Sequence, residues 1–374
     1  MTKRRKVMVV VGTRPEGIKM APVVAALRAR PSDFEVCLVS TGQHREMLAQ
    51  VLDAFDLAPD EDLALMRPDQ SLFDLTSLAL LATGSAMRRW RPDLVLVQGD
   101  TTTAFAAALA ATYERVPIGH VEAGLRTGNP ALPFPEEINR KLIDHLAEIC
   151  FAPTETAARA LEREGIAAER IHLTGNTVVD ALQQVRPRLR ARRPEIPGFD
   201  LEAEPDTRLI LVTGHRRESF GETFEGICLA IRDVVQRHPD VRVVYPVHLN
   251  PNVAAPVRRI LGQEERVHLL APQGYLDFLA LLERAYLVLT DSGGVQEEAP
   301  AFGKPVLVMR DVTERPEGVA CGVACVVGTS RQSIGAALSD LLEQRTQYER
   351  MSRALSPYGD GRAAERIAEI VAVS

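Results

Sequence analysis

Short, β-branched and nearly uninterrupted apolar runs alternate along this chain with longer stretches whose apolar residues recur at helical spacing. In the first half the runs are Val7 to Val11, Glu35 to Val39, Leu94 to Val97, Ile118 to Val121, Ile149 to Ala152 and Ile171 to Leu173. In the second half they are Leu209 to Val212, Val241 to Tyr245, Val267 to Leu270, Leu287 to Thr290, Val306 to Met309 and Val323 to Val327. A strand that is apolar along its whole length is buried on both faces, the mark of a parallel sheet covered by helices. The pattern therefore predicts an α/β protein of two doubly wound parallel-sheet domains facing a cleft. Residues 186–206 are dense in Arg, Pro and Glu with little apolar periodicity, and read as a solvated connection. This puts an N-terminal domain at 1–185 and a C-terminal domain at 207–355. After Ser356-Pro357-Tyr358-Gly359-Asp360-Gly361, helical spacing returns through Ala364, Ile367, Ile370 and Val371, so 356–374 is expected to hold a last helix packing back on the first domain.

The 374 residues, 46% of them hydrophobic, are ample for two buried cores. Basic residues number 44 against 50 acidic ones, a net charge of −6, which argues against a nucleic-acid partner. An anionic ligand must then be met by a local cluster. The five cysteines are scattered and mostly embedded in apolar runs, which suits free thiols in a reducing, cytoplasmic setting. Cys321 and Cys325 have no second pair or nearby histidine to complete a metal site, so both read as packing residues and no metal is expected. The apolar run after Lys3 to Lys6 is shorter than the ~7 to 15 residues of a signal peptide, and no stretch approaches the ~18 apolar residues of a membrane span. A soluble protein is expected.

Ligands of open α/β sheets bind beyond the carboxyl ends of the strands, which directs attention to the residues after each run. Gly12-Thr13-Arg14-Pro15-Glu16-Gly17-Ile18-Lys19 is a glycine turn entering a helix, either an ordinary turn with solvated charges or an anion site reinforced by Arg14 and Lys19. It fits neither the dinucleotide fingerprint nor a P-loop, since Ile18 stands where the P-loop lysine belongs. Gln98-Gly99-Asp100-Thr101-Thr102-Thr103 offers Asp100 either as a helix cap or as a carboxylate facing the cleft. In His120-Val121-Glu122-Ala123-Gly124-Leu125-Arg126, Glu122 ends an apolar strand, where an unpaired carboxylate is costly; Arg126 is its candidate structural partner. Pro133 to Arg140 matches a helix start with Glu136 and Glu137 in its first turn, a stabilising pattern as well as a possible source of catalytic groups. In the second half, Thr213-Gly214-His215-Arg216-Arg217 forms a dense cation cluster suited to a diphosphate. Pro246 to Pro251 follows the next strand. Asp291-Ser292-Gly293-Gly294-Val295-Gln296-Glu297-Glu298 opens a helix with small residues that let backbone N–H groups approach phosphate, and a glutamate one turn in can accept both hydroxyls of a ribose. Arg310 to Glu317 reads either as a surface salt-bridge run or as the source of another cation, Arg315.

From Gly12 to Gly361 this ordered set resembles the non-hydrolysing UDP-N-acetylglucosamine 2-epimerases over nearly the whole chain. The resemblance implies a fold like that of B-type glycosyltransferases, with UDP held mainly by the second domain and the hexosamine facing the first. It also implies a homodimer, no cofactor, and reversible C2 epimerisation of UDP-N-acetylglucosamine to UDP-N-acetylmannosamine for polysaccharide biosynthesis. By position, Asp100, Glu122 and Glu136 look like the family's acid/base carboxylates and His215 like its phosphate-contacting catalytic histidine. Arg14, Lys19, Arg140, Ser292, Gly293, Gly294, Glu298 and Arg315 look like substrate contacts. Gln43, Gln70, Arg216 and His248 resemble contacts to a second, activating UDP-N-acetylglucosamine. The chain departs from the family pattern at Gly17, where alanine is common, at Gln98, where histidine is common, at Asp69, where some members have arginine, and in Ala131 to Phe134, where an aromatic residue often sits. These departures bear on activation and on sugar specificity.

The implied reaction explains the residue types. No carbonyl neighbours C2 of the sugar, so its proton leaves only if the electrons have somewhere to go, and expulsion of UDP from C1 supplies that sink. Stabilising the leaving diphosphate is then the main electrostatic task. Positioned carboxylates add roughly 10² to 10⁴ in rate. Rival readings are a 2-epimerase for a UDP-2,3-diacetamido-hexuronic acid, a UDP-sugar glycosyltransferase, a hydrolysing relative that releases free N-acetylmannosamine, and a non-catalytic nucleotide sensor.

Overall fold

A computed structural model describes residues 4–43, 45–67, 70–191, 194–203, 205–354 and 356–374. They divide into two compact units, Met1–Arg186 with Tyr358–Ser374, and Pro187–Pro357.

The first unit alternates strand and helix: β1 (Arg5–Val11), α1 (Arg14–Arg28), β2 (Phe34–Ser40), α2 (Arg45–Ala54), β3 (Glu61–Asp62), α3 (Leu72–Trp90), β4 (Leu94–Gln98) and α4 (Thr102–Tyr113). It continues through β5 (Ile118–Val121), α5 (Glu136–Leu146), β6 (Ile149–Ala152), α6 (Glu155–Arg163), β7 (Ile171–Leu173) and α7 (Thr177–Ala191). Its seven strands pair in the order β3-β2-β1-β4-β5-β6-β7, every pair parallel. The sequence of β1 shows why both faces are covered. Val7, Val9 and Val11 enter one core with Met20, Val23 and Leu27 of α1, while Met8 and Val10 enter the opposite core with Ala104, Ala107 and Ala108 of α4.

The second unit follows the same plan with β8 (Arg208–Thr213), α8 (Glu222–Arg237), β9 (Val241–Pro246), α9 (Pro251–Leu261), β10 (Val267–Leu270), α10 (Tyr275–Arg284), β11 (Leu287–Thr290), α11 (Gly293–Ala301), β12 (Val306–Val308), α12 (Pro316–Ala320), β13 (Ala324–Val326), α13 (Arg331–Glu343) and α14 (Arg345–Ser352). Its six strands run β10-β9-β8-β11-β12-β13, again all parallel. The chain ends in α15 (Ala363–Val373), which belongs to the first unit. Ala364, Ile367 and Val371 of α15 join the α1 core, and Asp180 of α7 accepts hydrogen bonds from the α15 amides Ala363 (3.2 Å) and Ala364 (2.8 Å). Strand order reverses between β1 and β4 in one sheet and between β8 and β11 in the other. At such switch points the adjoining loops splay apart and leave room for a ligand.

Three expectations need correction. The stretch from Arg186 begins inside α7, with Leu189 and Ile196 buried; Pro187, which interrupts the pattern, is carried within the helix. The last apolar run of the first sheet is not buried on both faces, since Leu173 of edge strand β7 is 52% exposed. Cys321 and Cys325 are exposed, on the end of α12 and the outer side of edge strand β13, whereas Cys37, Cys150 and Cys228 are buried. Among the described residues no helix is long and apolar enough to cross a membrane.

Candidate active site

Glu122 is the first residue beyond β5 and carries φ of +66°, a left-handed conformation that a non-glycine residue adopts at an energetic cost. Its carboxylate is buried and ion-paired with the buried ammonium of Lys19 from α1. It also accepts from the amides of Gln98 and, at 3.4 Å, Asn176. Arg126, the partner expected from sequence, instead binds Asp144 (2.7 Å) and Glu164 (2.6 Å). Lys19, read as an anion-binding cation, is likewise committed to Glu122. The amides of Gly12 and Thr13 at the start of α1 meet the protein's own anion: Glu16 accepts from them at 2.9 and 2.7 Å and from the Thr101 hydroxyl at 2.7 Å. Burial pushes the Glu16 carboxyl above its usual range, against those hydrogen bonds. Arg14 sits half-buried at the first helical position.

Asp100 lies at the end of β4, one strand over from Glu122. The cap of α4 is Thr101, whose hydroxyl accepts from Ala104 at 3.0 Å, so capping does not account for Asp100. Its carboxylate pairs with Arg140 of α5, which also holds Glu137 at 3.1 Å. Glu137 in turn accepts from the amides of Thr127 and Gly128, fixing the loop that follows Glu122. Glu136, half-buried, opens the same helix. Thus two ion pairs form at neighbouring strand ends, Lys19 of α1 with Glu122 beyond β5 and Arg140 of α5 with Asp100 beyond β4.

In the second unit, Asp291 at the end of β11 accepts from the amides of His215 (2.7 Å) and Arg216 (2.8 Å), which lie beyond β8. The His215 ring stacks on His248 with centroids 5.5 Å apart. Burial, then the facing His215, lowers the His248 pKa. Ser292 precedes α11 without using its side chain as a cap, and Gly293 is closely enclosed by side chains. A Cβ there would lie 2.8 Å from Glu314 Oε1 and 3.1 Å from Arg315 Cζ, whereas one at Gly294 would meet nothing within 4 Å. Arg315 is buried, bound to Glu297 and to Glu314, each at 2.8 Å. Glu314 also takes Arg310 at 2.6 Å and faces Arg216 at 3.7 Å. Burial alone would raise its pKa, yet Arg315, Arg310 and Arg216 hold the carboxyl far below the usual range. Within the run from Arg310, Arg310, Glu314 and Arg315 therefore form a buried network, and the cation cluster read from sequence is threaded with carboxylates that fix the guanidinium groups in place. Glu298 is buried on α11 beside Glu297.

Of the expected activator contacts, Gln43 accepts from Thr103 at 2.8 Å. The Gln70 amide serves its own loop, accepting from Arg67 N at 2.8 Å and donating to Leu65 O at 3.1 Å. Gln43 and Gln70 belong to the first unit, Arg216 and His248 to the second. The departure at Gln98 touches Glu122 directly, and the missing methyl at Gly17 is space taken by Leu48, whose Cδ1 would lie 2.5 Å from a Cβ there. Asp69 lies outside the described residues. Sequence reasoning missed the supporting roles of Glu16, Glu137, Asp144, Glu297, Arg310 and Glu314. Each sat within or beside a recognised motif, but its partner is set by the tertiary fold.

Two parallel-sheet domains of the B-type glycosyltransferase kind, one ending in paired carboxylates and the other in a glycine-opened helix beside a fixed arginine, define an enzyme acting on a nucleotide sugar. The model of the family described as UDP-N-acetylglucosamine 2-epimerase matches residues 25–372. The UDP-N-acetylglucosamine 2-epimerase of Escherichia coli (strain K12) is 53% identical over 367 residues, 97% of each chain. That of Yersinia pestis is 53% identical over 368 residues, also 97% of each. The crystal structure of UDP-GlcNAc 2-epimerase from Neisseria meningitidis, bound to UDP-GlcNAc, superposes with a TM-score of 0.92 at 43% identity, covering 98% of this chain and 99% of that one. The chain belongs to the UDP-N-acetylglucosamine 2-epimerase family.

Proposed function

We propose that the protein interconverts UDP-N-acetylglucosamine and UDP-N-acetylmannosamine by expelling UDP from C1 and adding it back, through 2-acetamidoglucal. The observation that carries this reading is the cluster at neighbouring strand ends in which Lys19 holds Glu122 and Arg140 holds Asp100, with Glu136 on the same helix as Arg140. One carboxylate takes the C2 proton while the C1–O bond breaks with its electron pair on the UDP oxygen, leaving a C1–C2 double bond. In the return step a proton is delivered to the opposite face of C2 and the UDP oxygen closes on C1. Electrons balance without a hydride acceptor, so no cofactor is needed.

In the second unit the diphosphate is met by the α11 amides after Ser292, at Gly293 and Gly294, with Arg315 and His215 beside them and Glu298 on the ribose. Because Glu297 and Glu314 orient Arg315 beforehand, its donors need little reorganisation as charge develops on the leaving group. Arg14 supplies a further cation. A second UDP-N-acetylglucosamine activates the enzyme. The working form is a cytoplasmic homodimer feeding polysaccharide biosynthesis.

NMR of the reaction mixture tests this reading. The protein should form UDP-N-acetylmannosamine without an acceptor and without free N-acetylmannosamine. Asp100→Asn, Glu122→Gln and Glu136→Gln should each lower kcat by about 10² to 10⁴ while UDP affinity stays within about threefold. Acceptor-dependent UDP release, or unchanged turnover in all three variants, contradicts it.

A further inference from the structure

We infer that His120 is a positioning residue that sets the mutual placement of the three carboxylates, an inference that rests on the epimerase reading above. His120 stands on β5 two residues before Glu122 and is wholly buried. Its Nε2 lies 2.7 Å from the carbonyl oxygen of Gly99, the residue before Asp100, and its Nδ1 lies 2.6 Å from Asp144 of α5. A carbonyl only accepts, so Nε2 carries a hydrogen and donates it to Gly99. Gly99 itself is held at φ of +68°, so this bond fixes a turn that aims Asp100.

On α5, Glu136, Arg140 and Asp144 follow one another at four-residue spacing and share a helix face. Arg140 ties that face to Asp100, and Asp144 ties it to His120. Asp144 is itself anchored by Arg126 at 2.7 Å and by the amide of Gly124 at 3.3 Å, in the loop just past Glu122. One imidazole therefore joins the end of β4, the strand bearing Glu122 and the helix bearing Glu136. It reaches none of the reacting atoms. Its work is to keep three proton-transfer groups, carried by three different elements, in register.

The test uses the full-length protein with His120→Ala, which removes both bonds, and His120→Gln, whose amide keeps a donor near the Nε2 position. Because misplacement of catalytic groups by about 1 Å can cost about 10²-fold, kcat of the alanine variant should fall by about that factor while KM and UDP affinity stay within about threefold, and glutamine should restore about tenfold. An alanine variant with kcat within about twofold of wild type overturns the inference. So does a loss of UDP affinity in step with kcat, or failure of both variants to fold, since either would make the ring a general structural element. Wild-type protein run in parallel separates the two levels: if it does not epimerise, the functional reading fails. If it does and the variants match it, only the role of His120 fails.

Discussion

Replacing Lys19 by methionine removes the ammonium from a pair whose two side chains are 6% and 5% exposed, and it keeps most of the chain length and volume. Breaking a buried pair by deleting one partner typically costs about 3–5 kcal/mol, because the remaining charge stays desolvated. Glu122 keeps the amide donors of Gln98 and Asn176, so the lower end, about 3 kcal/mol, is expected here. Glu122→Gln should cost a similar amount, because it removes the carboxylate that faces the buried Lys19 ammonium. The double variant Lys19→Met/Glu122→Gln buries no charge at the site, so its loss should fall about 3 kcal/mol or more short of the sum of the two. Trp90, the single tryptophan, ends α3 in the first unit, so its fluorescence during urea unfolding reports that unit. With a slope of about 2–3 kcal/mol per molar urea, each single variant should lower the midpoint by about 1 M. Single-variant midpoints equal to wild type, or a double variant that is simply additive, would refute the claim that this pair is a tightly coupled buried unit.

Other consequences are as direct. Gly293→Ala must push Glu314 and the Arg315 guanidinium, so UDP affinity measured by calorimetry should fall by about tenfold or more, whereas Gly294→Ala enters open space and should fold normally. Glu314 has a folded pKa depressed below its unfolded value, so its stabilisation is present above the usual carboxylate range and is lost as pH falls through it. The stability gap between wild type and Glu314→Gln should therefore shrink by about 1.4 kcal/mol per pH unit below about pH 4.3, and a gap that stays constant down to pH 3 would contradict the arginine-held carboxylate.

Much of this was legible because parallel strands buried on both faces write themselves as apolar runs, and because the residues at the strand ends follow directly after those runs. Strand β3 escaped since Glu61 and Asp62 are only two residues and polar. Residues 187–191 read as connection rather than helix because Pro187 interrupts α7 in sequence without ending it in space. Partners were the least readable feature. Glu122 announced that it needed a counter-charge, but the nearest candidate, Arg126, is drawn to Glu164 and Asp144, and the true partner lies 103 residues earlier. The same limit hid Glu314, whose charged neighbours in sequence suggested a solvated surface, while folding buries it among three arginines. Local composition shows that a charge must be answered; only the fold determines which residue answers it.

In the proposed reaction UDP leaves C1 so that carboxylates can move the proton at C2. Running UDP-N-acetylglucosamine with this protein in D₂O and reading the product by NMR tests it most directly. The expected product is UDP-N-acetylmannosamine carrying deuterium at C2. Epimerised product that keeps its original hydrogen there would contradict it.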